Sequence, residues 1–173
     1  MTYQTAAAFR RALETRLVAQ SAKTGTPLVR LRKLVAFDRF LARLTRAYPH
    51  DWLLKGGLAL QLRMGEHART TQDVDVLSTL PRAAVHSAVT QAVSLDLGDW
   101  FVFARSIAGD LRGAELRRTT VQSTCAARGL GAEVAAAGPR CRAGRHDPAR
   151  GIRTCAPVLG SRFERANVRC LVA

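Results

Sequence analysis

Two short segments decide the fold of this chain: Trp52-Leu53-Leu54-Lys55-Gly56-Gly57 and Gln72-Asp73-Val74-Asp75-Val76-Leu77. The first predicts a short apolar strand that runs into a glycine turn, followed by a leucine-rich helix. The second predicts a strand in which Asp73 and Asp75, two positions apart, share one face while the valines occupy the other. Together the segments predict paired carboxylates on a strand beside a glycine turn.

Helical patterns surround these segments. Leu28 to Ala47 is the clearest, with one broad apolar side, and its basic residues, Arg39 and Arg43 among them, are expected to cover the remaining, solvent-facing side. Alternating helices and strands predict an α/β (α+β) fold with a small mixed sheet flanked by helices. The predicted helices cover 5–20, 28–47, 57–64 and 82–93, and the predicted strands cover 52–54, 74–78 and 100–104.

The composition changes beyond residue 112. Residues 113–173 contain eleven arginines, no lysine, a single aromatic residue (Phe163) and all four cysteines, with no C-x-x-C pair. So few large apolar groups offset little of the entropy cost of ordering the chain. The sequence therefore predicts a domain over 1–112 and an Arg/Ala/Gly-rich, poorly ordered tail over 113–173, in which the cysteines are incidental thiols.

The net charge of +14 favours a polyanionic partner, for which RNA is the obvious candidate, although GC-rich coding DNA also raises the arginine content. No apolar stretch is long enough to cross a membrane. Arg10, Arg11 and Glu14 interrupt the only apolar run near the N-terminus, so the sequence does not predict a secretory signal. We expect a cytoplasmic protein with no membrane partner.

The paired carboxylates and the glycine turn match the chemical needs of nucleotidyl transfer. Metal ions must neutralise the triphosphate and lower the pKa of the attacking hydroxyl, and Mg²⁺ prefers carboxylate oxygens such as those of Asp73 and Asp75. A glycine pair lets the backbone approach a phosphate closely. The amides at the start of the helix that follows Gly57 would meet the phosphates with a favourable dipole.

The same residues carry a family resemblance. Leu54-Lys55-Gly56-Gly57-Leu58-Ala59-Leu60 and Arg69-Thr70-Thr71-Gln72-Asp73-Val74-Asp75 resemble the AbiEii/AbiGii (MenT-like) toxins of the nucleotidyltransferase superfamily. Those proteins carry Leu-Lys-Gly-Gly-x-Ala-Leu followed by Thr-x-Asp-h-Asp, where h is apolar. The resemblance covers residues 28–105, the N-terminal part only.

The resemblance implies the toxin of a toxin–antitoxin system, an enzyme that transfers nucleotides from an NTP with Mg²⁺, of the two-metal type. It also implies the 3′ end of tRNA as the acceptor and an AbiEi-like winged-helix antitoxin as the partner. The residues that it assigns are Asp73 and Asp75 as catalytic metal ligands, Gly56 and Gly57 against the phosphates, and Lys55 and Arg69 as positive charges on the triphosphate.

The chain also departs from the family pattern. Relatives place a third carboxylate on a later strand and continue into a helical C-terminal part, whereas Asp110, Glu133 and Asp147 lack a convincing strand context. We therefore expect a truncated or aberrant C-terminal region. One hypothesis is that the reading frame departs from the family near residues 112–120, because out-of-frame GC-rich DNA yields arginine, alanine, glycine and scattered cysteine.

Simpler alternatives exist for each residue. The aspartates could be solvated positions on a half-exposed strand, and the glycine pair could be only a strand-to-helix turn. Lys55 could be a surface lysine at a helix edge, and Arg69 is equally open between the two roles. Exposed or core-edge positions are expected for His50, His67 and His86, and core positions for Trp52 and Trp100.

Two alternatives concern the whole chain. The first is an inactive, truncated remnant of the family that binds NTP or RNA weakly at most. The second is a basic RNA-binding module without catalysis, which the shortage of exposed aromatic runs disfavours.

Overall fold

A computed structural model describes residues 3–68, 70–71, 74–106, 120–125, 134–136, 152–154 and 169–171 of the chain. A short 3₁₀ turn, Gly65–His67, follows the third helix. The helices are α1 (Ala6–Thr24), α2 (Leu28–Ala47), α3 (Gly56–Met64) and α4 (Arg82–Val93), and the strands are β1 (Trp52–Lys55), β2 (Asp75–Ser78), β3 (Phe101–Ser106), β4 (Thr120–Cys125), β5 (Val134–Ala136), β6 (Ile152–Thr154) and β7 (Arg169–Leu171).

The strands form two sheets. One is mixed and has the order β2-β1-β7-β6, in which β1 runs antiparallel to β2 and parallel to β7. The other has the order β3-β4-β5, and its neighbouring strands are antiparallel. The small mixed sheet with flanking helices confirms the predicted fold class, although β3 pairs with β4 rather than with the strands of the mixed sheet.

The register of β1 and β2 separates a core face from a face that carries polar residues. Leu54 lies opposite Val76, and both are fully buried. Lys55 lies opposite Asp75, one position further along, and both side chains are half-buried. Because directly opposite residues of an antiparallel pair share a face, Lys55 and Asp75 lie on the side of the sheet away from Leu54 and Val76.

The core lies between α2, α4 and the strands β1, β2 and β3. Each of these elements contributes apolar side chains to it, and α3 adds Leu58 and Ala59. At about 25 cal/mol per Å² of apolar surface removed from water, burial of these side chains is the main stabilising contribution. The strand–turn–helix segment around Gly56 packs on this core. The fully buried apolar members of the core are Leu44, Leu54, Val76 and Ala92.

The apolar side of α2 is buried as predicted, and its bounds match the predicted 28–47. The expectation that the basic residues of this helix all face solvent is wrong for two of them. Arg39 is 3% exposed and Arg43 is 0% exposed. Their spacing of four residues puts both guanidinium groups on one side of the helix, and that side faces the connection between α4 and β3.

All five N–H donors of Arg43 have acceptors. Two go to the carboxylate of Asp99, at 2.9 and 2.7 Å, and the others go to the carbonyl oxygens of Arg39, Leu95 and Phe101 at 3.1, 3.1 and 2.7 Å. The guanidinium carbon also lies 4.7 Å from the centroid of the Phe103 ring. Complete satisfaction of this kind is what permits a buried charge, because an unpaired one is very costly.

Asp99 and Asp38 balance the two buried arginines. Arg39 bonds the carboxylate of Asp38 and lies 3.8 Å from that of Asp99. Asp99 also accepts the backbone N–H of Phe101 at 3.1 Å, which fixes the start of β3. Two guanidinium groups and two carboxylates therefore form a charge-balanced buried cluster that joins α2 to β3.

The first helix is longer than predicted. It runs from Ala6 to Thr24, rather than over 5–20, and buries Phe9 and Leu17. The hydroxyl of Thr5 caps its start by accepting the N–H of Ala8 at 3.2 Å. Gly25 ends it in the left-handed region with φ 73°. Ser21 to Thr24 form the added turn of this helix. The sequence pattern did not predict them because they lack apolar periodicity, although they complete the hydrogen bonding of the helix up to the cap.

Within the segment predicted as a tail, the structure places the strands β4, β5, β6 and β7. Val134–Ala136 is among them, where the sequence had shown no convincing strand pattern. The other residues of 113–173 lie outside the described part, so neither the boundary at 112 nor the reading-frame hypothesis is tested. In the described ranges, no helix is both long enough and apolar enough to cross a membrane.

Candidate functional site

The carboxylate of Asp75 lies directly against the backbone of Gly56. A Cβ atom built on Gly56 would lie 2.4 Å from Oδ2 of Asp75 and 3.1 Å from its Cγ, so no larger residue fits there without displacing the carboxylate. Gly56 also has φ 68°, in the left-handed region that favours glycine. The glycine turn and the strand carboxylate, predicted separately from two segments, therefore meet at one point.

The second glycine of the turn is packed against Thr71. A Cβ atom on Gly57 would lie 3.0 Å from both Cβ and Oγ1 of that threonine. Thr71, which precedes β2 in the sequence, thus packs against the first turn of α3. Sequence reasoning gave Thr71 no role, although it occupies the threonine position of the Thr-x-Asp-h-Asp pattern.

Lys55 completes this group of residues. It is the last residue of β1, directly opposite Asp75, and it immediately precedes α3. The first backbone N–H groups of α3 have no partner within the helix, and no side chain caps them. Lys55, the helix-start amides and the Asp75 carboxylate therefore all belong to residues at the exposed glycine turn.

Two of the predicted site residues, Asp73 and Arg69, lie outside the described residues. The same holds for Asp110, Glu133 and Asp147, the residues considered as a third carboxylate. Their roles remain predictions. The structure brings together Lys55, Gly56, Gly57 and Asp75, and it adds Thr71.

The simpler alternatives are partly resolved. Trp52 is a core residue, as expected, whereas Trp100 is half-buried and adopts φ 63° in the turn before β3. The histidines at 50, 67 and 86 are all exposed, in agreement with the exposed or core-edge positions expected for them. Asp75 is half-buried against a glycine turn, which is a more constrained position than a solvated strand carboxylate.

The oxygen atoms of Asp75 suit a hard cation such as Mg²⁺. In the described part of the chain, its carboxylate has no hydrogen-bond donor or ion pair, although Lys55 lies opposite it on the same face. Across the described ranges no group of three or more His, Cys, Asp or Glu side chains is close enough to hold a metal by itself. Within the described residues, Asp75 therefore supplies a single carboxylate that could hold such an ion.

Two further residues near the site were missed by sequence reasoning. Arg30, in the first turn of α2, donates to the carbonyl oxygens of Gly65 and Ala68 at 3.0 and 3.2 Å. Gln61, on α3, is 4% exposed and faces the same guanidinium. Arg30 looked like one more basic residue on the polar side of α2, and no local pattern distinguishes it from the others.

The family comparison matches this region of the chain. Residues 39–124 match the family of the nucleotidyl transferase AbiEii toxin of type IV toxin–antitoxin systems. The match includes both the glycine turn and the Asp-x-Asp segment, and it extends beyond the predicted boundary at residue 112. No curated protein matches the chain. From residue 39 to residue 124, the chain belongs to the AbiEii nucleotidyl transferase toxin family.

Proposed function

We propose that this protein is an NTP- and Mg²⁺-dependent nucleotidyltransferase, the toxin component of a toxin–antitoxin system, which modifies the 3′ end of tRNA in the cytoplasm. Its membership of the AbiEii family supports the reaction class and the toxin role. The observation that carries the proposal is the close contact of the Asp75 carboxylate with the backbone of Gly56, beside Lys55 and the start of α3.

In the proposed reaction, the 3′ hydroxyl of the acceptor attacks the α-phosphate of the NTP. A new O–P bond forms, the α–β phosphoanhydride bond breaks, and pyrophosphate leaves. The residues of the site serve mainly to position the phosphates and to balance their charge. Lys55 would contribute positive charge, and the amides at Gly56 and Gly57 would donate to phosphate oxygens at the start of α3.

Asp75, with Asp73 as its predicted partner, would hold Mg²⁺. When bound, the metal would neutralise triphosphate charge and lower the pKa of the attacking hydroxyl. The exposed backbone of Gly56 lies directly against the carboxylate, so a phosphate bound at its amide would be close to Asp75. A side chain at position 56 would displace this carboxylate, and the positive φ of Gly56 also disfavours any other residue there.

The excess of positive charge supports an RNA acceptor. The formal net charge is +14, and such a charge attracts a polyanion and accelerates its encounter with the protein. Family membership implies an antitoxin partner, and we propose an AbiEi-like winged-helix protein in that role. The charge does not select tRNA over other RNA, so the acceptor has to be tested directly.

The test is incorporation of labelled nucleotide. The purified protein is incubated with Mg²⁺, total tRNA and each of the four NTPs in turn, and labelled tRNA is resolved on a denaturing gel. We expect one or more NTPs to label tRNA and Asp75→Asn to abolish the labelling. Asp51→Asn is the matched control, because this carboxylate bonds the hydroxyl of Thr79 at 2.7 Å, in the segment that follows β2, and has no role in the proposed site.

Absence of labelling with all four NTPs, from a sample that unfolds cooperatively, would refute the proposed activity. That result would support the alternative of an inactive family remnant. Labelling of other RNA, but not of tRNA, would refute the acceptor while leaving the reaction class intact. Equal labelling by wild-type protein and Asp75→Asn would remove Asp75 from the site.

A further inference from the structure

Arg30 connects the first turn of α2 to the end of α3. Its Nη2 atom donates to the carbonyl oxygen of Gly65 at 3.0 Å and to that of Ala68 at 3.2 Å. These two carbonyls lie at the start of the 3₁₀ turn Gly65–His67 and immediately after it. A single guanidinium group therefore spans the turn that leads out of α3.

The same guanidinium group also bonds α3 itself. In the amide orientation that satisfies both groups, Oε1 of Gln61 accepts from Nε of Arg30 at 2.7 Å and from Nη2 at 3.2 Å. Gln61 is buried, so its amide oxygen needs a partner from the protein. A guanidinium group is a rigid, planar fork of donors, whereas a lysine ammonium is a single point charge.

The turn held by Arg30 leads to the candidate site. Residues 65–68 precede Thr71, which packs on Gly57, and the chain then enters β2 with Asp75 against Gly56. The connection between α3 and β2 is thus fixed at both ends. Arg30 holds the end near α3, and the contacts with the two glycines hold the end near β2.

The helix that carries Arg30 is itself firmly anchored. Arg43, later on α2, is fully buried and bonded to Asp99. A functional constellation is placed most accurately when its supporting residues project from a rigid element. Helix α2 therefore provides a fixed reference for the connection that carries the site.

We propose that Arg30 is a positioning residue for the nucleotidyl transfer site. It holds residues 65–68 against the first turn of α2 and thereby sets the position of the carboxylate strand relative to the glycine turn. This inference rests on the proposed function for its kinetic consequence only. The structural part of the inference is that Arg30 fixes residues 65–68, and it does not depend on any activity.

The experiment compares Arg30→Ala and Arg30→Lys with the wild-type chain by hydrogen–deuterium exchange and by nucleotide incorporation. In Arg30→Ala we expect the amides of residues 65–68 to exchange at least about tenfold faster, because opening of the turn no longer breaks the bonds to the guanidinium. We expect kcat to fall by roughly 10²-fold, the scale of a 1 Å misplacement, while KM for the NTP changes far less. Arg30→Lys should have exchange rates and a kcat between those of the wild-type chain and of Arg30→Ala.

Arg32→Ala is the matched control on the same helix. Arg32 is half-exposed and pairs with Glu14 of α1, away from α3. Its loss should leave exchange at 65–68 and kcat unchanged. If Arg30→Ala does not fold, Arg30→Lys and Gln61→Leu test the same contacts with smaller changes.

Two outcomes would overturn the inference. One is unchanged exchange at 65–68 in the Arg30 variants, whether or not the wild-type chain is active. The other is an active wild-type chain whose kcat survives Arg30→Ala within about twofold, well short of the effect of misplacement. A wild-type chain that labels no RNA refutes the proposed function instead, and faster exchange in Arg30→Ala would then still support the structural role of Arg30.

Discussion

Replacement of Asp99 by asparagine probes the buried charge cluster. In the native chain this carboxylate accepts two bonds from Arg43, at 2.9 and 2.7 Å, and one from the backbone N–H of Phe101. The asparagine has one acceptor oxygen, and its NH₂ group would face a guanidinium donor. The cluster of two arginines and two aspartates would also be left with an unbalanced positive charge at Arg43, which is 0% exposed.

Removal of one partner from a buried pair costs about 3–5 kcal/mol, because the remaining charge stays buried without compensation. A domain of this size has a total stability of roughly 5–15 kcal/mol, so Asp99→Asn should remove a large part of it. The midpoint of thermal unfolding should fall by about 10 °C, given a shift of about 2–4 °C per kcal/mol.

Urea denaturation followed by far-UV circular dichroism measures the change. Glu14→Gln is the matched control, since it makes the same chemical change at the Arg32 pair, whose side chains are 34% and 29% exposed. The hydrogen bond that Arg32 donates to Glu14 raises the pKa of Arg32, but a partly exposed pair contributes only about 0–1 kcal/mol. Equal losses for the two variants, both below about 1 kcal/mol, would refute the argument that burial makes the Arg43–Asp99 pair costly to break.

Three further predictions concern the site and the core beneath it. Gly56→Ala should destabilise the chain by more than Gly25→Ala does. Gly25 has a similar φ of 73° but open space around it, so its replacement introduces only the left-handed backbone strain of about 1–2 kcal/mol. Paired urea titrations measure the difference in the free energy of unfolding. Leu54→Ala should cost about 2–5 kcal/mol in the same titration, because the leucine is fully buried and a cavity would remain. Lys55→Gln should raise KM for the NTP several-fold with little change in unfolding, and an unchanged KM would assign Lys55 to the surface.

The sequence predicted the elements of the site well because local patterns define them. Alternation in the second strand placed Asp75 and Val76 on opposite faces, and the structure shows Val76 buried and Asp75 half-buried. The bounds of α2 were also predicted, since its apolar side is long and regular. What the pattern could not supply was the contact between Asp75 and Gly56, which joins segments that lie on different elements.

The sequence alone determined the family, the strand–turn–helix at Gly56 and the strand that begins at Asp75, since each depends on residue types at short spacing. Only the tertiary structure decided the contacts of Arg30 and Arg43, which occupy the polar positions of the same helix as their solvent-facing neighbours. Arg43 is buried because Asp99, 56 residues later, and nearby carbonyl oxygens satisfy every donor. Such partners come from distant parts of the chain, so helical periodicity carries no trace of them.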